Sequence, residues 1–135
     1  MTEMMGDIKA LCDRVRQTAY DIHLYHGHEH LEKVYENALA HRLRKGGLDV
    51  KQQHPLKVQD EDGTLIGDYL ADLMVENVLI VELKTAKALA PEHDAQVLGY
   101  LKSARLRHGL LINFRAPRFE IRKFVWSASG NRKPG

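Results

Sequence analysis

Two acidic residues and a lysine stand where they could do chemistry together. Glu82 and Lys84 lie at the charged end of the apolar run Val78 to Leu83. Residues i and i+2 of a strand share a face, so these two side chains are predicted to be neighbours. Asp72 lies ten positions earlier, and a hairpin turning at Glu76-Asn77 would place it nearly opposite Glu82. Charged groups at the end of a buried strand are costly unless they are paired or used.

The chemistry that this arrangement predicts is metal binding. Two facing carboxylates repel each other, and a cation between them is a physical reason to keep both. Such oxygen ligands suit Mg²⁺ or Mn²⁺, which binds one or two protein carboxylates together with waters and a phosphate oxygen. The pattern therefore points to phosphodiester chemistry. The simpler alternative is a Glu82–Lys84 ion pair that only satisfies the end of the strand, and the spacing of these two residues alone favours it.

The elements that must position these residues can be read from hydrophobic periodicity. Apolar residues recurring every three or four positions predict helices over 7–25, 31–43 and 91–106. Short β-rich runs predict strands over 48–58, 65–75, 78–83, 110–112 and 119–126. The order is α-α-β-β-β-α-β-β, and the third helix can form a right-handed crossover between parallel strands. We therefore predict an α/β (α+β) fold in which helices flank a central mixed sheet.

Length and charge limit the domain organisation. With 135 residues, the chain is expected to form a single domain over residues 1–126, followed by a disordered basic tail over 127–135. Residues 1–98 contain 11 Lys and Arg against 17 Asp and Glu, a balance of −6, whereas residues 99–135 contain 9 against 1, a balance of +8. Clustered cations favour a polyanionic partner. A solvated basic tail is the alternative.

Cysteine content and hydropathy indicate the compartment. The single cysteine, Cys12, excludes an intramolecular disulfide and an iron–sulfur cluster held only by thiolates of this chain, and a reducing cytosol is the natural setting. The first eleven residues contain Glu3, Asp7 and Lys9, so we expect neither a signal peptide nor a membrane span. A cytoplasmic location is predicted. The histidines around Gly27 are interpreted as a surface loop rather than a metal site.

The pattern Asp72, then Glu82-Leu83-Lys84, resembles the PD-(D/E)xK nuclease superfamily, with Ala71 at the position of the nominal proline. Nearly the whole chain, 23–124, is also similar to the small bacterial family of GxxExxY proteins. Its helix motif corresponds to the segment Glu29 to Leu39, where the glycine position holds Glu29. Further similar stretches are Ile80-Val81-Glu82-Leu83-Lys84, His93-Asp94-Ala95-Gln96-Val97-Leu98-Gly99-Tyr100-Leu101 and Gly109-Leu110-Leu111-Ile112-Asn113-Phe114.

This resemblance implies a restriction-endonuclease-like core and a Mg²⁺- or Mn²⁺-dependent hydrolase that cleaves DNA. It implies that Asp72 and Glu82 hold the ion, with the Leu83 carbonyl as a further ligand. Lys84 would orient or deprotonate the attacking water. Glu32 would join the metal shell, and its helical-wheel position between Leu39 and Leu43 supports a core-facing carboxylate; a Glu32–Arg42 pair is the alternative.

The third helix carries the residues expected to contact nucleic acid. Gln96 and Tyr100 are four positions apart on one helix face and are similar to the Gln-x-x-x-Tyr signature of RecB-like members of the superfamily. Lys102 and Arg105 follow as expected phosphate contacts. An ordinary polar–aromatic contact is the alternative for the first two. A domain this small could also need a second copy or a protein partner to grip a substrate, and a catalytically inactive binding module is the alternative function.

Overall fold

The computed structural model describes residues 2–115, 118–128 and 132–134. Its helices are α1 (Thr2–His26), α2 (Glu32–Lys45) and α3 (Pro91–Ala104). Its strands are β1 (Val50–Gln59), β2 (Leu65–Val75), β3 (Leu79–Lys84), β4 (His108–Asn113), β5 (Glu120–Trp126) and β6 (Arg132–Pro134). The predicted mixed α/β fold and its element order are confirmed from α1 to β5.

The described strands form one mixed sheet in the order β1-β2-β3-β4-β5-β6. All neighbouring strands are antiparallel except β3 and β4, which run parallel and are connected through α3. This is the predicted crossover. The parallel register pairs Lys84 with Asn113, so the charged end of β3 lies beside the end of β4.

Two apolar clusters cover the two faces of the sheet. One contains α1 and α2 side chains packed on alternate residues of the strands, among them Leu73, Val75, Val81 and Leu83. The other contains α3 side chains packed on Ile80, Leu111 and Phe124, among others. Period-two alternation explains the division along β3, because Val81 and Leu83 face α1 and α2 while Ile80 faces α3. Glu82 and Lys84 have the parity of Ile80 and so belong to the α3 face.

The alternation is interrupted where β1 and β2 pass Gln53 and Asp72. Val50 and Leu56 are an even number of residues apart, yet Val50 packs in the α1–α2 cluster and Leu56 in the α3 cluster. On β2, Leu73 likewise belongs to the first cluster and Ala71 to the second. Gln53 has φ 51°, a left-handed conformation that is unusual for a non-glycine residue. Beyond this point Leu56 and Ala71 therefore pack on the α3 side of the sheet.

The prediction of a disordered tail is wrong for Arg132–Pro134, which pair as β6 with β5. The outer edge of β5 offers unpaired N–H and C=O groups, and backbone pairing does not require apolar side chains. Residues 129–131 and 135 of that tail lie outside the described residues. Across the described helices, none combines the length and apolar character that a bilayer span requires.

Candidate active site

Asp72 and Glu82 meet at the end of the β2–β3 hairpin. The last paired residues in the register are Leu73 and Val81, so these two acids are the next pair along. Glu82 Oε1 accepts a hydrogen bond from the Asp72 N–H at 2.7 Å, and Asp72 Oδ2 accepts one from the Leu83 N–H at 2.8 Å. Each carboxylate thus accepts, through one of its oxygens, a hydrogen bond from the backbone of the other strand. The predicted proximity of these two residues is confirmed.

Burial and like charge dominate the electrostatics of this pair. Glu82 is 2% exposed and Asp72 is 9% exposed. Burial, and next the negative charge of Asp72, raise the pKa of Glu82 to about 8. Burial is also the main cause that raises the pKa of Asp72, against the opposing effect of its hydrogen bond from Leu83. When both carboxylates ionise, the site therefore carries more negative charge than its surroundings offset.

The helix α2 contributes two carboxylates rather than one. Glu32, the predicted residue, is half-buried, and burial followed by the charge of Asp72 raises its pKa. Glu36 follows one turn later and is 3% exposed. It accepts hydrogen bonds from Lys33, Gln52 and Gln53, at 2.8 to 2.9 Å. The described chain forms no Glu32–Arg42 salt bridge, so that alternative is not observed.

Lys84 is half-buried at the end of β3, and its carbonyl accepts a hydrogen bond from the Phe114 N–H at 3.0 Å. Its positive charge lowers the pKa of Glu32, Asp72 and Glu82 against the stronger raising causes. Within the parts of the chain that are described, no Glu82–Lys84 salt bridge forms. Lys84 therefore lies close to the acids without forming a salt bridge to Glu82, contrary to the ion-pair alternative.

Asn113 fixes the segment that follows Lys84. Its side chain is fully buried, and its Oδ1 accepts from the Ala86 N–H at 3.1 Å while its Nδ2 donates to the Ala86 carbonyl at 2.9 Å. Asn113 is also the β4 residue paired with Lys84. The end of β3 and the loop after it are thus held by one amide, which limits how far the lysine backbone can move.

Gln96 and Tyr100 lie one turn apart on α3 and contact each other. Gln96 Nε2 donates to the Tyr100 hydroxyl at 3.1 Å. Burial, and next the charges of Glu82 and Asp72, raise the pKa of Tyr100 to about 12, so its hydroxyl stays protonated at neutral pH. The Tyr100 ring also contacts Tyr69, with centroids 5.0 Å apart. Tyr100 is therefore close enough to the acidic pair to be influenced by its charge, and Gln96 is connected to it through the Tyr100 hydroxyl.

Lys102 and Arg105 lie further along. Lys102 is an exposed residue of the last helical turn, and Arg105 caps the helix in a left-handed conformation. Arg105 lines a cavity of about 840 Å³ together with Val78, at the start of the run that ends in Lys84. Six strand residues separate the two ends by about 20 Å. The structure therefore does not bring Arg105 to the acidic residues.

The chain matches the sequence profile of the PD-(D/E)XK nuclease superfamily over residues 9–124. It belongs to that superfamily. No curated protein matches the chain, and no solved structure does. Nucleases of this superfamily generally use divalent metals such as Mg²⁺, and membership indicates nucleic acid as the class of ligand. The mixed sheet with Asp72, Glu82 and Lys84 at one end is consistent with a restriction-endonuclease-like fold.

The PD-(D/E)XK residues fit a divalent cation in their donor chemistry. Glu82 Oε1 and Asp72 Oδ2 accept backbone hydrogen bonds, whereas Asp72 Oδ1 accepts a long one, of 3.3 Å, from the Gln53 side chain. A raised pKa means that the carboxylate is costly to ionise in the absence of a cation. Mg²⁺ or Mn²⁺ prefers such oxygen donors and would offset their negative charge. In the described residues, no three acidic, histidine or cysteine side chains are already gathered as a metal cage. Leu83 contacts Asp72 through its N–H, and a metal contact of its carbonyl stays a prediction.

Two polar residues of this PD-(D/E)XK site, Glu36 and Gln53, were not predicted from the sequence. Glu36 had a signal, because it lies at 140° on the α2 wheel, beside Leu43 at 120°. Gln53 had none, because a glutamine in a β-rich run gives no sign of a left-handed backbone. Its Nε2 donates to Glu36 Oε1 at 2.8 Å and to Asp72 Oδ1 at 3.3 Å.

Proposed function

We propose that this protein is a metal-dependent nuclease that hydrolyses phosphodiester bonds in DNA. The observation that carries the proposal is the pairing of the Asp72 and Glu82 carboxylates across two strands, with Lys84 beside them and, among the described residues, no salt bridge that uses the lysine. Two like charges at the end of a buried strand repel each other, and a cation bound between them would offset this repulsion.

Each residue has a role that follows from its position. Asp72 and Glu82 would hold the ion through Asp72 Oδ1 and Glu82 Oε2, with Glu32 as a third acidic donor from α2. When bound, Mg²⁺ or Mn²⁺ supplies Lewis-acid activation of a water and stabilises negative charge on the phosphate. Lys84 orients that water through its ammonium protons and offsets the charge that develops on the phosphate oxygens. The hydroxyl of Tyr100, protonated at neutral pH, donates a hydrogen bond to the substrate.

The finer assignment rests on residues shared with known families. The α2 motif with Glu32 and Tyr35 supports a GxxExxY protein of bacterial type, and Gln96 with Tyr100 supports a RecB-like site. Lys102 and Arg105 are proposed phosphate contacts on the basic C-terminal part of the chain. The single Cys12 supports a reducing, cytoplasmic setting.

The proposal is tested by cleavage of labelled single-stranded DNA, double-stranded DNA and RNA with Mg²⁺, Mn²⁺ or EDTA. We expect cleavage of DNA that EDTA abolishes. Lys84→Ala and Asp72→Asn should each reduce the rate by about 100-fold or more, since each removes a group that acts on the transition state. The alternative function, a binding module that keeps the nuclease fold, predicts DNA retention without cleavage under every metal condition.

Matched controls separate chemistry from general charge effects. Lys51→Ala and Asp49→Asn remove the same charges at the start of β1, where both residues are exposed, and should leave cleavage unchanged. Equal loss in Lys51→Ala and Lys84→Ala would show that the lysine contributes only net charge. If Asp72→Asn cleaved DNA at the wild-type rate, Asp72 would not be a ligand of the metal.

A further inference from the structure

Gln53 lies at a break in the regular structure of β1. Successive side chains of a strand point to opposite faces, yet the consecutive residues Gln52 and Gln53 both donate to the Glu36 carboxylate, each at 2.8 Å. The left-handed φ of 51° at Gln53 makes this possible. A glutamine in that conformation is unfavourable relative to extended backbone, and such residues persist only where their surroundings hold them.

The same carboxamide reaches the acidic pair. The Gln53 Nε2 group has two protons, one directed at Glu36 Oε1 and one at Asp72 Oδ1, at 2.8 and 3.3 Å. Glu36 belongs to α2 and Asp72 to β2, so this group connects the helix layer to the sheet. Gln52 also donates to Asn37 of α2, but among the hydrogen bonds of the described residues it has none with Asp72. Gln53, the left-handed residue, bonds to both Glu36 and Asp72.

From this geometry we propose that Gln53 is a positioning residue, which orients Asp72 for cation binding by fixing it to Glu36. The inference rests on the proposed function in that the cation is the one the nuclease uses. The amide offers two donors to two carboxylates that would otherwise repel each other. It leaves the second oxygen of Asp72 on the Leu83 N–H at 2.8 Å, so both oxygens of this carboxylate are held in place.

The left-handed backbone of Gln53 determines which substitutions can test this proposal. Gln53→Gly removes the carboxamide and keeps a residue for which the left-handed conformation is favourable. Gln53→Asn keeps an amide and tolerates the same backbone, but its side chain is one methylene too short for both contacts. Gln52→Ala is the matched control, since it removes a neighbouring amide from Glu36 without touching Asp72.

The first measurement is Mn²⁺ affinity by isothermal titration calorimetry in the full chain. We expect Gln53→Gly and Gln53→Asn to bind Mn²⁺ about 10- to 100-fold more weakly, as for other residues that orient metal ligands. Gln52→Ala should stay within about threefold of wild type. Wild-type affinity in Gln53→Gly, or an equal loss in Gln52→Ala, would overturn the proposal.

The second measurement needs no metal and separates this inference from the proposed function. Amide hydrogen exchange of Leu83 reports how firmly Asp72 is held, because that N–H donates to Asp72 Oδ2. In the metal-free protein we expect exchange about tenfold faster in Gln53→Gly than in wild type or Gln52→Ala. If wild type binds no Mn²⁺ and this difference appears, the proposed metal function fails and the positioning of Asp72 stands. Unchanged exchange would contradict the positioning role whatever the metal result.

Discussion

Asp72 and Glu82 are joined by reciprocal contacts between side chain and backbone: Glu82 Oε1 accepts from the N–H of Asp72, and Asp72 Oδ2 accepts from the N–H of Leu83, the residue after Glu82. These bonds hold two buried carboxylates together at the end of the hairpin. They also leave each carboxylate with an oxygen that is not fixed to the backbone. The arrangement costs free energy when both groups ionise, because burial and mutual repulsion oppose the charged forms.

The metal-free protein should lose stability as pH rises from about 4.5 to about 8. The folded pKa of Glu82 is raised by burial and by Asp72, from 4.5 to about 8, so in this range the folded state keeps a proton that the unfolded state releases. Linkage then requires the free energy of unfolding to fall with pH, by at most about 5 kcal/mol for the full shift. Urea denaturation at pH 5, 6, 7 and 8 measures this fall.

Glu82→Gln is the comparison for that experiment. The pKa shifts of Glu32 and Asp72 have the same sign, whereas burial lowers the pKa of His108 and makes stability rise with pH below about 6.5. The variant removes the ionisation of Glu82 and its repulsion of Asp72, so its stability should fall less steeply than that of wild type. Parallel pH profiles for the two proteins would show that Glu82 ionises at an ordinary pKa.

Divalent cations should stabilise the wild type and reverse its pH dependence in part. A cation that binds only the folded state adds about 2.7 kcal/mol to the free energy of unfolding when its concentration is 100 times Kd. Binding competes with protonation of Asp72 and Glu82, so the gain should be larger at pH 8 than at pH 6. Thermal unfolding with Mn²⁺, Mg²⁺ or EDTA tests this. Asp72→Asn should show little gain, and Asp49→Asn should behave as wild type.

Asn113→Ala should destabilise the protein by about 1–3 kcal/mol, because it leaves the N–H and carbonyl of Ala86 without their partners. Chemical denaturation measures the change. Asn113→Asp should be worse at pH 7 than at pH 4, since an ionised carboxylate cannot donate to the Ala86 carbonyl and is fully buried. The control is Asn37→Ala, an exposed amide on α2, for which we expect a change within about 0.5 kcal/mol.

Tyr35→Phe should destabilise the loop between α1 and α2 without affecting Mn²⁺ affinity. The Tyr35 hydroxyl donates to the Gly27 carbonyl at 2.7 Å and accepts from the His30 N–H at 3.2 Å, while its buried ring stacks on Phe114 at 4.5 Å. Losing the hydroxyl alone should cost about 1–2 kcal/mol. Tyr20→Phe, at a tyrosine 44% exposed, is the control. A loss of Mn²⁺ binding in Tyr35→Phe would assign this tyrosine a role at the metal site.

Much of the candidate site could be predicted from the sequence because it follows from local rules. A hairpin fixes partners by counting from its turn, so the segment Glu76-Asn77 was enough to bring Asp72 opposite Glu82. The period of two then placed Lys84 on the face of Glu82. The three helices and five of the strands were likewise indicated by apolar spacing, because each element buries one stripe or face.

Contacts between layers were decided only by the tertiary structure. The bond from Gln53 to Glu36 depends on how closely α2 packs on β1, and no residue spacing encodes that distance. The left-handed backbone of Gln53 has no local signature either, since glutamine commonly adopts extended conformations. The strand β6 forms because the edge of β5 is open to it, although its own composition predicts disorder. The sequence by itself thus determined which acids meet on the sheet, and packing between helix and sheet decided how one of them, Asp72, is held.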